Sequence, residues 1–97
     1  MSEEKVTVEN VNVPGKTSSV NAAKYHAMKE AMLNVLPMAE PGLSQAEIRE
    51  AVLPFLPDDL FPGRSTAGWW AKTVQLDLEA KGIVGREPSK PLRWHQA

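Results

Sequence analysis

A chain of 97 residues, 42% of them hydrophobic, is long enough for one domain with a modest core. It contains no cysteine, which excludes disulfides, cysteine-ligated zinc and a thiol nucleophile and fits a reducing compartment. No apolar run reaches the roughly 20 residues of a membrane span, and the acidic first residues lack the apolar stretch of a signal peptide. We therefore expect a soluble cytoplasmic protein that does not associate with membranes.

The net charge of −1 is divided unevenly along the chain. Residues 1–60 carry five basic and nine acidic side chains, whereas residues 61–97 carry six basic and three acidic ones. Because DNA is a dense polyanion, its binding requires clustered lysine and arginine. The C-terminal part therefore permits contact with DNA, while the acidic remainder argues against strong non-specific binding.

The hydrophobic periodicity that indicates secondary structure is weakest in the N-terminal 20 residues. Valines between Val6 and Val13 follow a broken alternation, which makes Lys5–Val8 a candidate short strand. Pro14-Gly15 marks a turn, and the residues through Ser18-Ser19 read as a loop. This segment is expected to be extended or partly disordered, with a flexible tail as the alternative.

A first helix is predicted at about 22–36, with Asn21 as its N-cap. Pro37 ends it, because proline disfavours the helical conformation in the residue before it. The apolar residues on one face of this helix are Tyr25, Met28, Met32, Val35 and Leu36.

A second helix, at about 45–53, opens with a capping box, Ser44-Gln45-Ala46-Glu47, and has Ile48 and Val52 on its inner face. The connector that follows, at 54–63, is rich in proline. Asp58-Asp59 is interpreted as a turn cap, with a cation site as the less favoured reading. Its apolar residues are expected to fill the edge of the core: Phe55, Leu56, Leu60 and Phe61.

A third helix is predicted at about 66–81, capped by Ser65 and ended by Gly82 in a left-handed conformation. Plotting about 100° per residue places Lys72, Gln75 and Glu79 on a shared polar face. The predicted core face comprises Ala67, Trp70, Ala71, Val74 and Leu78.

A two-stranded hairpin is predicted after this helix, with strands at 83–87 and 91–95. The two-residue period of a strand directs Leu92 and Trp94 toward the core and Arg93 and His95 outward. Together with the helices, the hairpin gives a mostly α, α+β domain at 21–97, preceded by the N-terminal segment at 1–20.

The chain resembles the winged helix-turn-helix superfamily over about residues 22–95. The resemblance implies three helices plus a C-terminal two-stranded wing, and the sequence is compatible with one additional short N-terminal strand. The whole chain also resembles a small bacterial family of uncharacterised proteins, which implies no activity. The residues that carry the resemblance are Ser44-Gln45-Ala46-Glu47-Ile48, Leu78-Glu79-Ala80-Lys81-Gly82-Ile83-Val84 and Pro91-Leu92-Arg93-Trp94.

In DNA-binding winged helices the third helix enters the major groove and the wing touches the backbone or minor groove. The resemblance therefore implies a DNA-binding, transcription-regulator-like protein. The polar face of the third helix has no arginine or asparagine suited to bidentate base contacts, which weakens this expectation. The residues implied to contact DNA are Arg64, Lys72, Gln75, Arg86, Lys90 and Arg93.

The alternative function is a protein-interaction or dimerisation module. Trp69 lies beside Trp70, and adjacent helical residues point about 100° apart, so both can be covered only from two sides. Trp70 belongs to the core, whereas Trp69 and Leu76 need a second cover. We expect either the N-terminal segment, the connector or a second protein there, since tryptophan is enriched at binding hot spots.

No enzyme, cofactor, metal or small-molecule site is predicted. Gly15-Lys16-Thr17 lacks the preceding glycine and the strand–loop–helix of a phosphate-binding loop. His26 and His95 have no second ligand at helical spacing, so each is interpreted as a solvated histidine. No serine has the surroundings of a nucleophile.

Overall fold

The protein is an α+β structure with three helices and two small antiparallel sheets, as described by a computed structural model for residues 4–13, 15–64 and 66–96. The helices are α1 (Ala22–Val35), α2 (Gln45–Val52) and α3 (Ala67–Ala80). The strands are β1 (Lys5–Glu9), β2 (Thr17–Asn21), β3 (Leu43–Ser44), β4 (Val84–Glu87) and β5 (Arg93–Gln96).

The helix caps follow local sequence closely. The Asn21 side chain accepts from the Lys24 amide at 2.9 Å, and both hydrogen bonds of the Ser44–Glu47 capping box are present. These two predicted caps are therefore confirmed. Helix α3 begins after Thr66, which makes no side-chain cap bond, and the predicted cap Ser65 lies outside the described residues.

The N-terminal residues form a hairpin, with β1 paired to β2 so that Val6 faces Val20. The predicted strand is confirmed and extends to Glu9, whereas the loop expected through Ser18-Ser19 is wrong, because those residues lie in β2. That strand carries one apolar residue, Val20, and therefore gives almost no alternation signal. We call β1 and β2 the N-terminal hairpin; Pro14, in the predicted turn, lies outside the described residues.

The second sheet has the strand order β3-β5-β4, and we call it the C-terminal sheet. Strand β3 precedes α2 and pairs with β5, with Leu43 opposite Trp94. Trp94 is buried as predicted, but Leu92 is exposed, which corrects its expected core position. Leu92 lies before the first paired residue of β5, so the alternation of the strand does not apply to it.

The core lies where the three helices meet, and the connector and both sheets close it. Phe61 is fully buried and meets Trp70 edge to face, with ring centroids 6.2 Å apart. Leu56 is also buried, whereas Phe55 is 52% exposed, so the connector fills the core edge with only part of its apolar residues. The predicted central residues Trp70, Val74, Leu78 and Trp94 are all buried.

None of the helices in the described part of the chain is long and apolar enough to cross a membrane.

Candidate functional site

Helix α3 lies between the N-terminal hairpin and the C-terminal sheet and contacts both. The exposed residues of this helix are Trp69, which is 57% exposed, Lys72 and, in the last turn, Ala80. Gln75 is 3% exposed and donates to Glu79 at 3.1 Å, so its predicted position facing a DNA groove is wrong. The helical periodicity placed Gln75 on the polar side of α3 with Glu79. It could not show that the C-terminal sheet packs against that side.

The C-terminal sheet covers the polar side of α3 through one carboxylate. Glu79 pairs with the Arg86 guanidinium at 3.1 Å and accepts from the Trp94 indole N–H at 2.6 Å. The Arg86 guanidinium also lies 5.6 Å from the centre of the Trp94 ring, in the geometry of a cation–π contact. Glu79 therefore joins α3 to β4 and β5 and leaves little of the predicted recognition face open.

Three of the five predicted DNA-contacting cations have carboxylate partners within the protein. Arg64 pairs with Asp58 at 3.1 Å, Arg86 with Glu79 at 3.1 Å and Arg93 with Glu47 at 2.9 Å. Lys72 and Lys90 are exposed and have no ion-pair partner within residues 4–13, 15–64 and 66–96. The structure thus brings these cations to separate carboxylates rather than into one basic cluster.

The opposite side of α3 holds the N-terminal hairpin through Asp77, a residue that the sequence reading did not single out. Asp77 is fully buried and accepts from the Tyr25 hydroxyl and from the Glu9 amide, the latter at 2.9 Å. The Lys81 ammonium also pairs with it at 2.9 Å. The sequence did offer a signal for this contact, since Asp77 lies between two leucines of a helix. A carboxylate buried at such a position requires several hydrogen-bond donors from its neighbours.

The pKa of Tyr25 is raised above its ordinary value of 10.0, first by burial and then by its hydrogen bond to Asp77 and that carboxylate's negative charge. All three causes disfavour the tyrosinate. At neutral pH the Tyr25 hydroxyl is therefore a stable donor to Asp77.

A cleft of about 220 Å³ opens between the N-terminal hairpin and α3, and we call it the Trp69 cleft. Leu76 is 9% exposed and lies in the floor of this cleft, so the second cover that it was expected to need lies within the protein. The intramolecular cover proposed for it, the N-terminal segment, is the one observed. Trp69 stays at the exposed rim, and its ring meets that of Trp70 edge to face at 5.0 Å.

The Trp69 cleft has an apolar floor and a polar rim. Its floor consists of the buried side chains of Val8, Val20 and Leu76. The exposed lining residues are Glu9, Val13, Lys16, Ser18 and Trp69. Lys16, which belongs to no phosphate-binding loop, is thus a rim residue of the cleft.

A second cluster lies at the C-terminal sheet, where Glu40, Glu87 and His95 each place one potential metal-ligating atom within 4.8 Å of the others. His95 Nδ1 is 2.8 Å from Glu87 Oε2, so the interpretation of His95 as a solvated side chain is wrong. His26 is exposed and stacks on Tyr25. Spacing could not reveal the cluster, because its members come from a loop and two strands rather than from one helix.

These features define a small α+β protein with three helices, two antiparallel sheets and an apolar cleft beside its third helix. The chain belongs to the family of unknown function DUF6958, which it matches over residues 5–94. Neither the curated proteins nor the solved structures include a match to it.

Proposed function

We propose that this protein is a non-catalytic winged-helix module that acts by binding protein, and that a second copy of the chain binds at the Trp69 cleft. The strand order β3-β5-β4 supports the winged-helix assignment, because in that fold a strand before the second helix joins the two strands of the wing. Helix α2 follows β3 directly, and α3 leads into β4, in the order that the fold requires.

The exposure of Trp69 over an apolar cleft carries the proposal. Burial of a tryptophan contributes more to an interface than burial of most side chains, and an apolar centre with a polar rim is the usual anatomy of such an interface. The volume of about 220 Å³ is below the range of roughly 300–1,000 Å³ typical of small-molecule pockets. The cleft therefore suits an inserted side chain better than a free ligand.

A second copy fits because the rim is compatible with itself. In a twofold dimer the same patch is used by both copies, so each feature must meet a complementary one. The rim of the Trp69 cleft carries one cation, Lys16, and one anion, Glu9, beside the apolar Trp69 and Val13. Two copies can therefore pair opposite charges around a shared apolar centre.

Sedimentation velocity over protein concentrations from about 1 µM to about 1 mM tests the dimer. We expect the wild type to shift from monomer to dimer and Trp69→Ser to stay monomeric. Phe55→Ser is the matched control, because Phe55 is similarly exposed, at 52%, but lies in the connector away from the cleft. A wild type that stays monomeric throughout, or equal loss in both variants, would contradict the proposal.

A charge exchange tests the rim. Lys16→Glu and Glu9→Lys should each weaken the dimer, because each leaves two like charges near the axis, and the double variant should recover it. Glu9 contributes only its backbone amide to Asp77, so its side chain can be changed without removing that hydrogen bond. Additive losses in the double variant would exclude this arrangement.

DNA binding is the second candidate, favoured by the strand order and by Lys72 and Lys90, which have no ion-pair partner in the part of the chain that the structure describes. It is weakened by the carboxylate partners of Arg64, Arg86 and Arg93, since each ion pair must break before a phosphate replaces it.

An amide NMR titration with a mixed-sequence duplex distinguishes the candidates. Shifts at Lys72 and Lys90 that fade with added salt would favour DNA, because counterion release makes phosphate binding salt-dependent. A silent titration at low salt would exclude it.

A further inference from the structure

We propose that Glu40, Glu87 and His95 form a binding site for a divalent transition-metal ion of the zinc class. The three side chains come from the loop before β3, from the end of β4 and from β5. One ligand atom from each lies within 4.8 Å of the other two, and Glu87 Oε2 is 2.8 Å from His95 Nδ1. This site is distinct from the Trp69 cleft and does not depend on the dimer.

The register of the C-terminal sheet builds the site. Gly85 lies opposite His95 and Glu87 lies opposite Arg93, so Glu87 and His95 share one face of the sheet. Gly85 has no side chain, and a Cβ added there would lie 3.4 Å from His95 Nε2, which shows how closely the imidazole approaches this backbone. The imidazole therefore lies over open backbone on the same face as Glu87.

The loop before β3 completes the site. The Gly42 amide donates to Glu87 Oε2 at 2.7 Å, which fixes the orientation of the carboxylate. A hydrogen bond of this kind, from a neighbour to a ligand atom, is what orients ligands around bound metals. Glu40, two residues earlier, is exposed and can adjust its side chain toward the pair.

The charge balance favours a cation here. Glu87 is 6% exposed, and a buried carboxylate needs a positive partner or several donors. Arg93, which lies opposite Glu87 in the sheet register, donates instead to the Gly42 carbonyl and pairs with Glu47, both at 2.9 Å. Glu87 is left with the Gly42 amide and His95, and Glu40 adds a second negative charge beside them.

The donor set selects the class of ion. Zinc binds histidine nitrogen and carboxylate oxygen at about 2.0–2.2 Å, which separates ligand atoms in a tetrahedral site by about 3.3–3.6 Å. The Glu87–His95 separation of 2.8 Å is shorter than that value, so this pair must open by about 0.5 Å as the ion replaces its hydrogen bond, while exposed Glu40 adjusts from within 4.8 Å. Calcium and magnesium prefer all-oxygen sites and suit a ring nitrogen poorly. Three protein donors leave a fourth position for water or another ligand.

Isothermal titration of the chelator-treated full chain with Zn²⁺ tests the site, with Mg²⁺ as the contrasting ion. We expect one saturable zinc site and no comparable magnesium binding. Glu40→Gln should weaken zinc binding by at least about tenfold without unfolding the protein, because Glu40 is exposed. His95→Gln should do the same, with circular dichroism used to verify its fold.

His26→Gln is the matched control, because His26 is exposed and lies on α1, outside the cluster. NMR should also show the His95 ring resonances, but not those of His26, shifting as zinc is added. The proposal is overturned if the wild type shows no saturable zinc binding. It is equally overturned if Glu40→Gln and His95→Gln bind zinc like the wild type, because the ion would then bind elsewhere.

Discussion

The N-terminal hairpin and the C-terminal sheet are attached to opposite sides of α3 by the same kind of contact, a hydrogen bond accepted by a carboxylate. Each is held by one acidic side chain of that helix, Asp77 for the hairpin and Glu79 for the sheet. Two residues along a helix correspond to about 200° of rotation, so Asp77 and Glu79 point to nearly opposite sides of α3. A single helical turn thus connects the helix to both ends of the protein.

The two attachments leave different surfaces behind. Asp77 binds the hairpin at the end of β1, through the Glu9 amide, and the rest of the hairpin leaves the Trp69 cleft open. Glu79 binds both an indole and a guanidinium, and those large groups close the sheet over α3. A buried polar contact fixes where an element lies, whereas large side chains decide whether the interface is filled.

Among the variants discussed here, Asp77→Ala should lower the stability of the protein most. It leaves the buried Tyr25 hydroxyl and the Glu9 amide without their acceptor and removes the partner of Lys81. We expect the free energy of unfolding to fall by about 3–5 kcal/mol, measured by urea denaturation. Glu79→Ala should cost less, because its guanidinium partner is partly exposed and can be solvated. An equal loss in the two variants would show that the two attachments are equivalent.

Gly42→Ala should damage the C-terminal sheet without touching the hairpin. A Cβ at this position would lie 1.9 Å from the Trp94 carbonyl oxygen, a backbone atom that cannot move aside alone. We expect a loss of about 3 kcal/mol. Gly68→Ala is the control, because its Cβ would meet only the flexible Arg49 side chain at 3.3 Å and alanine favours the helix. A Gly42→Ala protein as stable as Gly68→Ala would contradict the packing described for β3.

High pH should weaken the hairpin side selectively. Burial raises the folded-state pKa of Tyr25, so its stabilising effect is complete below the ordinary value of 10.0 and is lost as pH rises above it. The free energy of unfolding should fall by about 1.4 kcal/mol per pH unit in that range from this group. The chain has one tyrosine, so tyrosinate absorbance reports it alone. Ionisation near pH 10 in the folded protein would contradict its burial; Tyr25→Phe should flatten the alkaline dependence.

Low pH should produce the smallest effect, on the other side of the molecule. The Ser44 amide, the Ser44 hydroxyl and Arg93 lower the pKa of Glu47 below its ordinary value of 4.5. Its stabilising effect is therefore complete above that value and is lost as pH falls below it. Glu47→Gln should reduce the acid dependence of the urea midpoint only slightly, because the side chain is exposed. A large change would mean that the capping box contributes more than an exposed cap should.

Local patterns predicted the three helices, the N-caps of α1 and α2 and the glycine that ends α3. Asn21, the Ser44–Glu47 box and Gly82, whose φ is +75°, act through neighbours within a few residues, and those neighbours are visible in the sequence. Trp94 was assigned correctly because the alternation holds once β5 has begun. Leu92 was not, because the strand starts one residue later.

The candidate sites depended on contacts between distant residues, which a single sequence does not reveal. Gln75 and Leu76 are covered by neighbours that periodicity cannot identify, and the Asp77–Glu9 hydrogen bond spans 68 residues. Glu40, Glu87 and His95 likewise meet only through the pairing of the C-terminal sheet. The sequence did indicate that Trp69 lies off the core face, because two adjacent tryptophans on a helix cannot both be buried on one face.

The 68-residue separation between Glu9 and Asp77 also sets an order of events during synthesis. A ribosome makes β1 first, but the acceptor of its terminal amide is absent until most of the chain has been translated. A similar delay applies to β3, because its partner β5 follows only after all three helices and β4. Contacts of such long range close slowly, since loop-closure entropy must be overcome before they form. The nascent chain therefore completes neither sheet attachment until its final third has emerged.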